Sequence, residues 1–386
     1  MKIYLKNLDG IRFFAALFVL LQHSFGFKKG YSTTSSFADN WFEYSGVIGV
    51  NLFFLLSGFL ISYLLLIEKD STGTVSYKNF YIRRMLRIWP LYLGYGLVLA
   101  FVSPHLSQMM GLGNDVTIGK TILNIVFLFL FAVNFQLAFI GANKGVFDIS
   151  WSVCVEEQFY LIWPIFINNF RKKLLGLLVV MVITGYAVKV FLCFILPAIS
   201  NVKPEDAYVM NYLMITDKLD LFGAGLVIAL LYYHRDKFQN QFKKIFHPAV
   251  QWTMLILTIL YVLSIIRPEG KNFALFGDHF ASSILFGYLL LSAVMDNSIL
   301  NFENNLLRTL GRISYGVYLF HTAVCQVVLV LFKNFIGKPD SYLVYEVAYP
   351  LTNTIVTCVI AYFSYEYFEK IFLKMKNRFA LIKTRI

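Results

Sequence analysis

Eleven apolar runs, which are candidate membrane helices by length and hydropathy, restrict this chain to one class of fold. A helix needs about 20 apolar residues to cross the hydrocarbon core. Hydrophobic residues make up 58% of the chain and charged residues 15%, whereas a soluble domain carries about a quarter charged residues. We therefore expect an all-α integral membrane protein with about ten transmembrane helices. The runs lie at about residues 8–27, 46–67, 88–104, 121–140, 154–169, 174–197, 219–233, 249–266, 280–295, 313–333 and 346–368.

The positions of the basic residues predict the topology. The net charge of +12 does not indicate a nucleic-acid partner, because the basic residues cluster in short connections beside apolar runs, as in cytosolic loops. MKIYLK at the start and KMKNRFALIKTRI at the end are both basic, which predicts two cytosolic termini and an even number of crossings. One run is then left over. The basic loops place it at 88–104, 121–140 or 154–169, as a re-entrant or interfacial segment.

The chain is expected to form one transmembrane domain, residues 1–373, followed by a basic cytosolic tail, residues 374–386. Its four cysteines lie singly in or beside apolar runs, which indicates packing rather than disulfides or metal ligation. The sequence has no Walker loop, no metal-type Cys/His spacing and no G-x-S-x-G elbow. We therefore expect no metal.

The first run carries a charged residue and an imidazole on one helix face. Arg12 and His23 are eleven residues apart, almost a whole number of turns and roughly 16 Å along the axis. Polar groups at membrane depth typically mark functional sites. Arg12 could instead only snorkel to the cytosolic surface, and His23 could be a packing residue. Histidine suits proton abstraction from a hydroxyl, and Asp9 near Arg12 is a candidate substrate-binding residue.

A second motif, NFYIRRMLRIWPLY at 79–92, contains Arg83, Arg84 and Arg87 at helical i,i+3 and i,i+4 spacing. Two interpretations fit it. The arginines are an ordinary cytosolic anchor, or they clamp the phosphates of a ligand, because guanidinium groups bind phosphate bidentately.

A third motif, DISWSVCVEEQFYLIWP at 148–164, places Glu156 and Glu157 near the start of a predicted helix that Ser152 could cap. Carboxylates near a helix N-terminus are favourable in any protein. The topology also puts these glutamates at about the depth of His23, where a carboxylate could orient and charge-balance the histidine.

The fourth motif is GRISYGVYLFHTAV at 311–324, where Ser314, Tyr318 and His321 form a polar stripe on an apolar helix. The stripe fits helix–helix hydrogen bonding as well as substrate contact. Weaker signals are Asp217 with Asp220 at the mouth of one helix, and Glu366 with Glu369 in the last run.

Five motifs, in this order, resemble the membrane-bound acyltransferase 3 family over most of the chain. They are LDGIRFFAALFVLLQH, NLFFLLSGFLI at 51–61, FYIRRMLRIWPLY, WSVCVEEQFYLIWP and GRISYGVYLFH. The resemblance implies about ten crossings, a cytosolic acyl-CoA donor, and essential roles for Arg12 and His23. The chain departs from the family pattern at Lys218, where relatives tend to have arginine, and at Glu369-Lys370-Ile371, where a proline often follows the basic residue. Some relatives carry a further esterase-like domain, for which we expect no room here.

The expected function is membrane O-acyltransfer, in the cell inner (cytoplasmic) membrane. Acetyl-CoA would bind its phosphates through Arg83, Arg84 and Arg87, with Arg12 as a further candidate ligand. His23, oriented by Glu156 or Glu157, would activate an acceptor hydroxyl, and Arg12 is also a candidate catalytic residue. The expected acceptor is an envelope glycan or lipid-linked glycan, such as lipopolysaccharide O-antigen, and membrane lipids surround the protein. Three alternatives stay open: an acyl-histidine intermediate, acylation of a small molecule or lipid, and a proton-coupled transporter using the same polar residues.

Overall fold

The computed structural model describes residues 2–32, 34, 36–109, 118–141, 148–379 and 383–384, and these residues are almost entirely helical. The all-α membrane class is confirmed. Strand structure in the described residues is limited to β1 (Lys2–Ile3) and β2 (Lys383–Thr384), which pair in parallel, Lys2 with Lys383 and Ile3 with Thr384.

The helices in chain order are α1 Leu8–Lys28, α2 Phe37–Trp41, α3 Ser45–Thr72, α4 Tyr77–Met109, α5 Ile118–Phe129, α6 Val133–Phe139, α7 Ser150–Phe170, α8 Leu174–Val190, α9 Leu196–Ile199, α10 Pro204–Leu213, α11 Ile215–Tyr233, α12 Gln239–Ile245, α13 Pro248–Val262, α14 Asp278–Val294, α15 Asn305–Phe335, α16 Tyr349–Ser364 and α17 Lys370–Lys376. Short 3-10 turns cover Arg171–Lys173, Arg235–Phe238 and Asn377–Phe379. Single π-helical turns cover Phe191–Ile195, Phe273–Gly277, Leu343–Ala348 and Tyr365–Glu369.

Seven helical segments of the described chain are long and apolar enough to cross a membrane, or eight if the bent pair Arg235–Ile245 and Pro248–Val262 is one span. This count is lower than the expected ten, for two physical reasons. The predicted runs 154–169 and 174–197 belong to one helical stretch, Ser150–Ile199, which is interrupted by a basic 3-10 turn. Helix α11 is apolar over most of its length but begins with three charged residues, Asp217, Lys218 and Asp220.

The run at 121–140 is broken in two. Helix α5 has 12 residues and α6 has 7, so neither can cross a bilayer that requires about 20. Phe131 lies at the break with a φ of 50°, a conformation that ends a regular helix. Side chains hold the two pieces together, since Gln136 donates to Asn124 at 2.5 Å. Among the three runs predicted to contain a re-entrant or interfacial segment, this is the one whose helices are too short.

Within the described residues the chain forms two compact units. Unit 1 comprises Met1–Leu56, Val227–Phe368 and Lys383–Ile386, and unit 2 comprises Ser57–Leu226 and Glu369–Ile382.

Unit 1 is built on close packing of α1 against α15 and α16. Gly311 permits the closest approach, because a Cβ at that position would lie 2.2 Å from the backbone oxygen of Asp9. Asn7 precedes α1 with a φ of 63°, which asparagine tolerates better than most residues, and its side chain donates to the carbonyls of Ala293 and Leu300. Lys28, buried at the other end of α1, pairs with Asp39 and Glu346. These contacts fix both ends of α1.

Unit 2 packs α3, α4, α7 and α11 through aromatic rings and small residues. The rings of Phe159 and Phe222 stack at 3.9 Å, and a Cβ on Gly58 would lie 2.5 Å from the Phe222 carbonyl oxygen. Asp217 sits between two buried lysines, Lys189 at 3.1 Å and Lys218 at 2.7 Å. Charges buried in this way are stable only when they are paired, which gives Asp217 and Lys218 a structural role.

Candidate functional site

His23 lies in the last third of α1 and is half-buried. Its Nδ1 is 2.9 Å from the backbone oxygen of Val19, one turn earlier in the same helix. A carbonyl oxygen can only accept, so Nδ1 carries the proton and Nε2 keeps the lone pair. The helix itself therefore presents His23 in the tautomer in which Nε2 can accept a proton.

A second histidine lies beside His23. The ring of His321 on α15 meets the ring of His23 edge-on, with centroids 4.9 Å apart. His321 is fully buried and its Nδ1 donates to the carbonyl of Tyr318 at 2.6 Å. Its Nε2 is buried and has no hydrogen-bond partner among the residues that the structure describes. The structure thus places two imidazoles with basic Nε2 atoms next to each other.

The other members of the polar stripe on α15 have different surroundings. Tyr318 is buried against His321 and packs edge-on against Phe53 at 5.6 Å. Ser314 donates to the carbonyl of Gly311 in its own helix, at 2.8 Å. Tyr318 and His321 therefore lie in the neighbourhood of His23, whereas the hydroxyl of Ser314 is occupied within α15.

A cavity of about 350 Å³ opens beside His23. Its polar lining comes from Gln22, Lys29, Asp39 and Glu43, and two phenylalanine rings and Gly26 complete the wall. Ligand pockets typically measure about 300–1,000 Å³ and combine apolar walls with a few polar groups. This cavity is at the small end of that range.

Asp9 and Arg12 form an ion pair at the other end of α1, with 3.0 Å between their charged atoms. Both side chains are partly exposed, at 26% and 18%. Arg12 and His23 lie on the same helix, as predicted from their spacing, and a separation of roughly 16 Å means that the two cannot contact one reacting atom.

The three arginines of α4 belong to unit 2 and differ in their contacts. Arg83 pairs with the buried carboxylate of Glu68 at 3.0 Å and donates to the Phe379 carbonyl at 2.9 Å. Arg84 places its guanidinium over the Phe80 and Tyr160 rings, and its buried Nε has no hydrogen-bond partner among the described residues. Arg87 is half-buried and makes no ion pair within the described part of the chain.

Glu156 and Glu157 also lie in unit 2. Glu156 accepts hydrogen bonds from Ser57 at 2.8 Å and from Tyr160 at 3.2 Å, and Glu157 accepts one from Trp89 at 2.9 Å. Arg84 and Arg87 are within electrostatic range of Glu156. The α4 arginines and the two glutamates therefore form one charged cluster inside unit 2. A role for either glutamate at His23 stays a prediction.

The prediction that Ser152 caps the helix of Glu156 and Glu157 is wrong. Helix α7 begins two residues earlier, at Ser150, and Ser152 donates to the carbonyl of Ile149. The glutamates therefore lie in the second turn. A serine before an apolar run predicts a cap only where the helix begins there.

Sequence reasoning missed the acidic lining of the cavity. Asp39 and Glu43 lie in the connection between α1 and α3, and no periodic pattern links them to His23. The signal that could have found them is Lys28, a lysine at the end of an apolar run that requires a buried partner. In the described ranges, no group of three or more His, Cys, Asp or Glu residues could hold a metal ion.

The fold and site together define a class: a multi-pass helical membrane protein with a paired-histidine centre beside a small polar cavity. The chain belongs to the acyltransferase 3 family, whose description is "Acyltransferase domain" and whose profile matches residues 5–365. The resemblance carried by the five motifs is thus confirmed.

Three curated relatives show what this chain is similar to. It is 27% identical over 381 residues to a Bacillus subtilis protein named "Putative peptidoglycan O-acetyltransferase", covering 95% of this chain and 54% of that one. It is 25% identical to a Staphylococcus aureus "Putative O-acetyltransferase", covering 96% and 58%. It is 26% identical to the peptidoglycan O-acetyltransferase OatA of Listeria monocytogenes, covering 82% and 49%. The chain thus spans about half the length of these relatives. No solved structure is significantly similar to it.

Proposed function

We propose that this chain transfers an acyl group, acetyl in the simplest case, from cytosolic acyl-CoA to a hydroxyl of a cell-envelope glycan. The observation that carries the proposal is His23, whose Nδ1 donates a hydrogen bond to the Val19 carbonyl and which lines a cavity of about 350 Å³. The protein would lie in the cytoplasmic membrane with both termini in the cytosol, because its basic segments are those expected of cytosolic loops.

His23 acts as the general base. Its Nε2 accepts the proton of the acceptor hydroxyl as the oxygen attacks the thioester carbonyl carbon. The C–S bond then breaks, the acyl group stays on the acceptor oxygen as an ester, and CoA leaves as a thiolate that takes the proton back from His23. His321, whose ring centroid is 4.9 Å from that of His23, is proposed to contact the acceptor.

Donor binding is assigned to the arginines of α4. Arg84 and Arg87 are the better phosphate ligands of the three, because the Arg83 guanidinium already binds Glu68 and Phe379. Arginine can hold a phosphate through two parallel charge-assisted hydrogen bonds. Glu156 and Glu157 are proposed to balance charge during transfer.

The acceptor is a glycan of the cell envelope. Two of the relatives are named for peptidoglycan, which favours peptidoglycan or its lipid-linked precursor over lipopolysaccharide O-antigen. Glu43 and Gln22 offer the carboxylate and amide groups that hydrogen-bond sugar hydroxyls, whereas the carboxylate of Asp39 pairs with Lys28.

The test is acyl transfer by purified protein in detergent, from radiolabelled acetyl-CoA to muropeptide, lipid-linked precursor or O-antigen oligosaccharide. His23→Ala should lower the rate at least about a hundredfold, since general-base catalysis typically contributes 10²–10⁴. His234 is a matched control because its Nδ1 makes the same bond, to Leu230 at 3.0 Å, but it does not line the cavity. His234→Ala should retain transfer.

Two results would count against the proposal. Retention of more than about a tenth of the wild-type rate in His23→Ala is incompatible with a general base that contributes at least a hundredfold. A wild-type protein that is folded and monodisperse, but neither hydrolyses acetyl-CoA nor transfers its acyl group to any acceptor, would favour a transporter that uses the same polar residues.

A further inference from the structure

The predicted cytosolic ends of α1 and α15 meet at a corner that contains three arginines. Gly311 on α15 packs against the backbone of Asp9 on α1, at a distance that no larger residue would permit. Arg12 is three residues beyond Asp9 and pairs with it. Arg308 and Arg312 flank Gly311 and are four residues apart, so they share one face of α15. We call Arg12, Arg308 and Arg312 the arginine corner.

The surrounding groups support this placement. Tyr4 donates to Glu303, and burial together with that hydrogen bond raises the pKa of Tyr4 to about 12. Arg308 opposes this rise in pKa and Asp9 adds to it. Both charges are therefore within electrostatic range of the same phenol, which ties the beginning of α15 to the beginning of α1.

Two guanidinium groups of the corner have no counter-charge among the described residues. The side chains of Arg308 and Arg312 make no hydrogen bond and no ion pair with any residue that the structure describes, and their Nε atoms are buried. The neighbouring carboxylates already have partners. Glu303 accepts from Tyr4 and from the backbone N–H of Asn7, Asp296 pairs with Lys6, and Asp9 pairs with Arg12.

An ordinary topology anchor would look different. Lys243 and Lys244 on α12 are exposed, so water solvates their charges at little cost. A guanidinium whose Nε is removed from water and left without an acceptor is costly. Such a group is stable when an external anion completes its hydrogen bonds, and arginine does this best with the paired oxygens of a phosphate.

We propose that Arg308 and Arg312, with Arg12 beside them, bind a phosphate group of the CoA donor. The assignment rests on the proposed function, and it adds a second phosphate-binding cluster to the arginines of α4. CoA carries both a diphosphate and a separate ribose phosphate, and a pair of arginines can hold either of them. The sequence already suggests Arg12 as a phosphate ligand, and its distance from His23 allows that role; the new members of the cluster are Arg308 and Arg312.

The experiment measures CoA affinity directly, by calorimetry on the purified full chain in detergent. Arg308→Gln and Arg312→Gln should each weaken CoA binding about ten- to hundredfold, because each removes charge-assisted hydrogen bonds. The control is Lys244→Gln, which removes one exposed positive charge in the same unit and should bind CoA as the wild type does.

A measurement on the wild type avoids any folding defect of the variants. Phenylglyoxal modifies accessible guanidinium groups, and mass spectrometry maps the modified sites. Saturating CoA should protect Arg308 and Arg312, whereas lipid nanodiscs that contain an anionic phospholipid should not protect them in the absence of CoA.

The outcomes separate the two proposals. CoA binding that is unchanged in both glutamine variants, with no protection by CoA, would overturn the arginine corner and leave the proposed function in place. Protection by anionic lipid alone would assign the phosphate to a lipid headgroup and overturn the CoA assignment. A folded wild type with no affinity for CoA would overturn the proposed function itself.

Discussion

Arg83, Arg84 and Arg87 lie within two turns of one helix, but their different contacts indicate different roles. Arg83 is bound on two sides, by the Glu68 carboxylate and the Phe379 carbonyl. Arg84 lies over two aromatic rings, and Arg87 makes no ion pair within the described residues. A ligand phosphate would have to compete with Glu68 for Arg83 but not for the other two. The motif that looks uniform in sequence therefore divides into one structural residue and two candidate donor ligands.

This difference in contacts predicts that substitution of Arg83 affects stability, whereas substitution of Arg84 or Arg87 affects donor binding. Arg83→Gln should lower thermal stability, because breaking a buried ion pair costs roughly 3–5 kcal/mol, and should leave the donor KM nearly unchanged in the protein that folds. Arg84→Gln and Arg87→Gln should raise the acetyl-CoA KM about tenfold or more, with a much smaller change in the acceptor KM. Unfolding temperatures and two-substrate kinetics measure both effects. Normal donor KM in folded Arg84→Gln and Arg87→Gln protein would make these arginines topology anchors only.

Residue-level prediction from sequence worked where one helix carries the signal. The Arg12–His23 spacing places both residues on one face of α1, because eleven residues are nearly three full turns whatever the helix packs against. The contact of His23 with His321 lies beyond such reasoning, since it joins residues 298 positions apart through the packing of α1 against α15. The cavity carboxylates Asp39 and Glu43 were missed for the same reason.

At the scale of the helices, hydropathy located the apolar runs but not their breaks. The run at 121–140 is apolar throughout, but it is broken at Phe131 into two short helices. The runs at 154–169 and 174–197 are separated in sequence by Arg171, Lys172 and Lys173, yet a 3-10 turn carries the helix through them. Apolar composition reports burial in lipid or protein, whereas the ends of a helix depend on local hydrogen bonds and backbone angles.

The close approach of α1 to α15 depends on Gly311. Gly311→Ala should gain about 1 kcal/mol of helix propensity and lose more than that, because the new Cβ would meet the Asp9 backbone at 2.2 Å and overpacking typically costs 1–3 kcal/mol. We therefore expect a lower unfolding temperature and weaker transfer. Gly176→Ala is the control, since a Cβ there meets nothing within 4 Å, and it should be neutral or stabilising. Equal unfolding temperatures for the two variants would mean that α1 and α15 do not depend on this close contact.

At the scale of the whole chain, the distribution of charge predicts which connections lie in the cytosol. Arg171, Lys172 and Lys173 end α7, and Lys243 and Lys244 end α12. Both groups are basic, and their four lysines are exposed, as in cytosolic connections. Ser200 follows α9 at the far end of the helical stretch that begins after Lys173. If that stretch crosses the membrane, Lys172 and Ser200 must lie on opposite sides.

Cysteine labelling tests this topology. In a variant whose four native cysteines are replaced by serine or alanine, Ser200→Cys should react with a membrane-impermeant maleimide added to intact cells. Lys172→Cys and Lys243→Cys should react only after the membrane is permeabilised. The paired positions control for expression, because each variant is labelled fully once the cells are opened. Labelling of Lys172→Cys in intact cells would reverse the inferred orientation of α7 and α8. It would then contradict the even number of crossings, and with it the prediction that Glu156 and Glu157 lie at the membrane depth of His23.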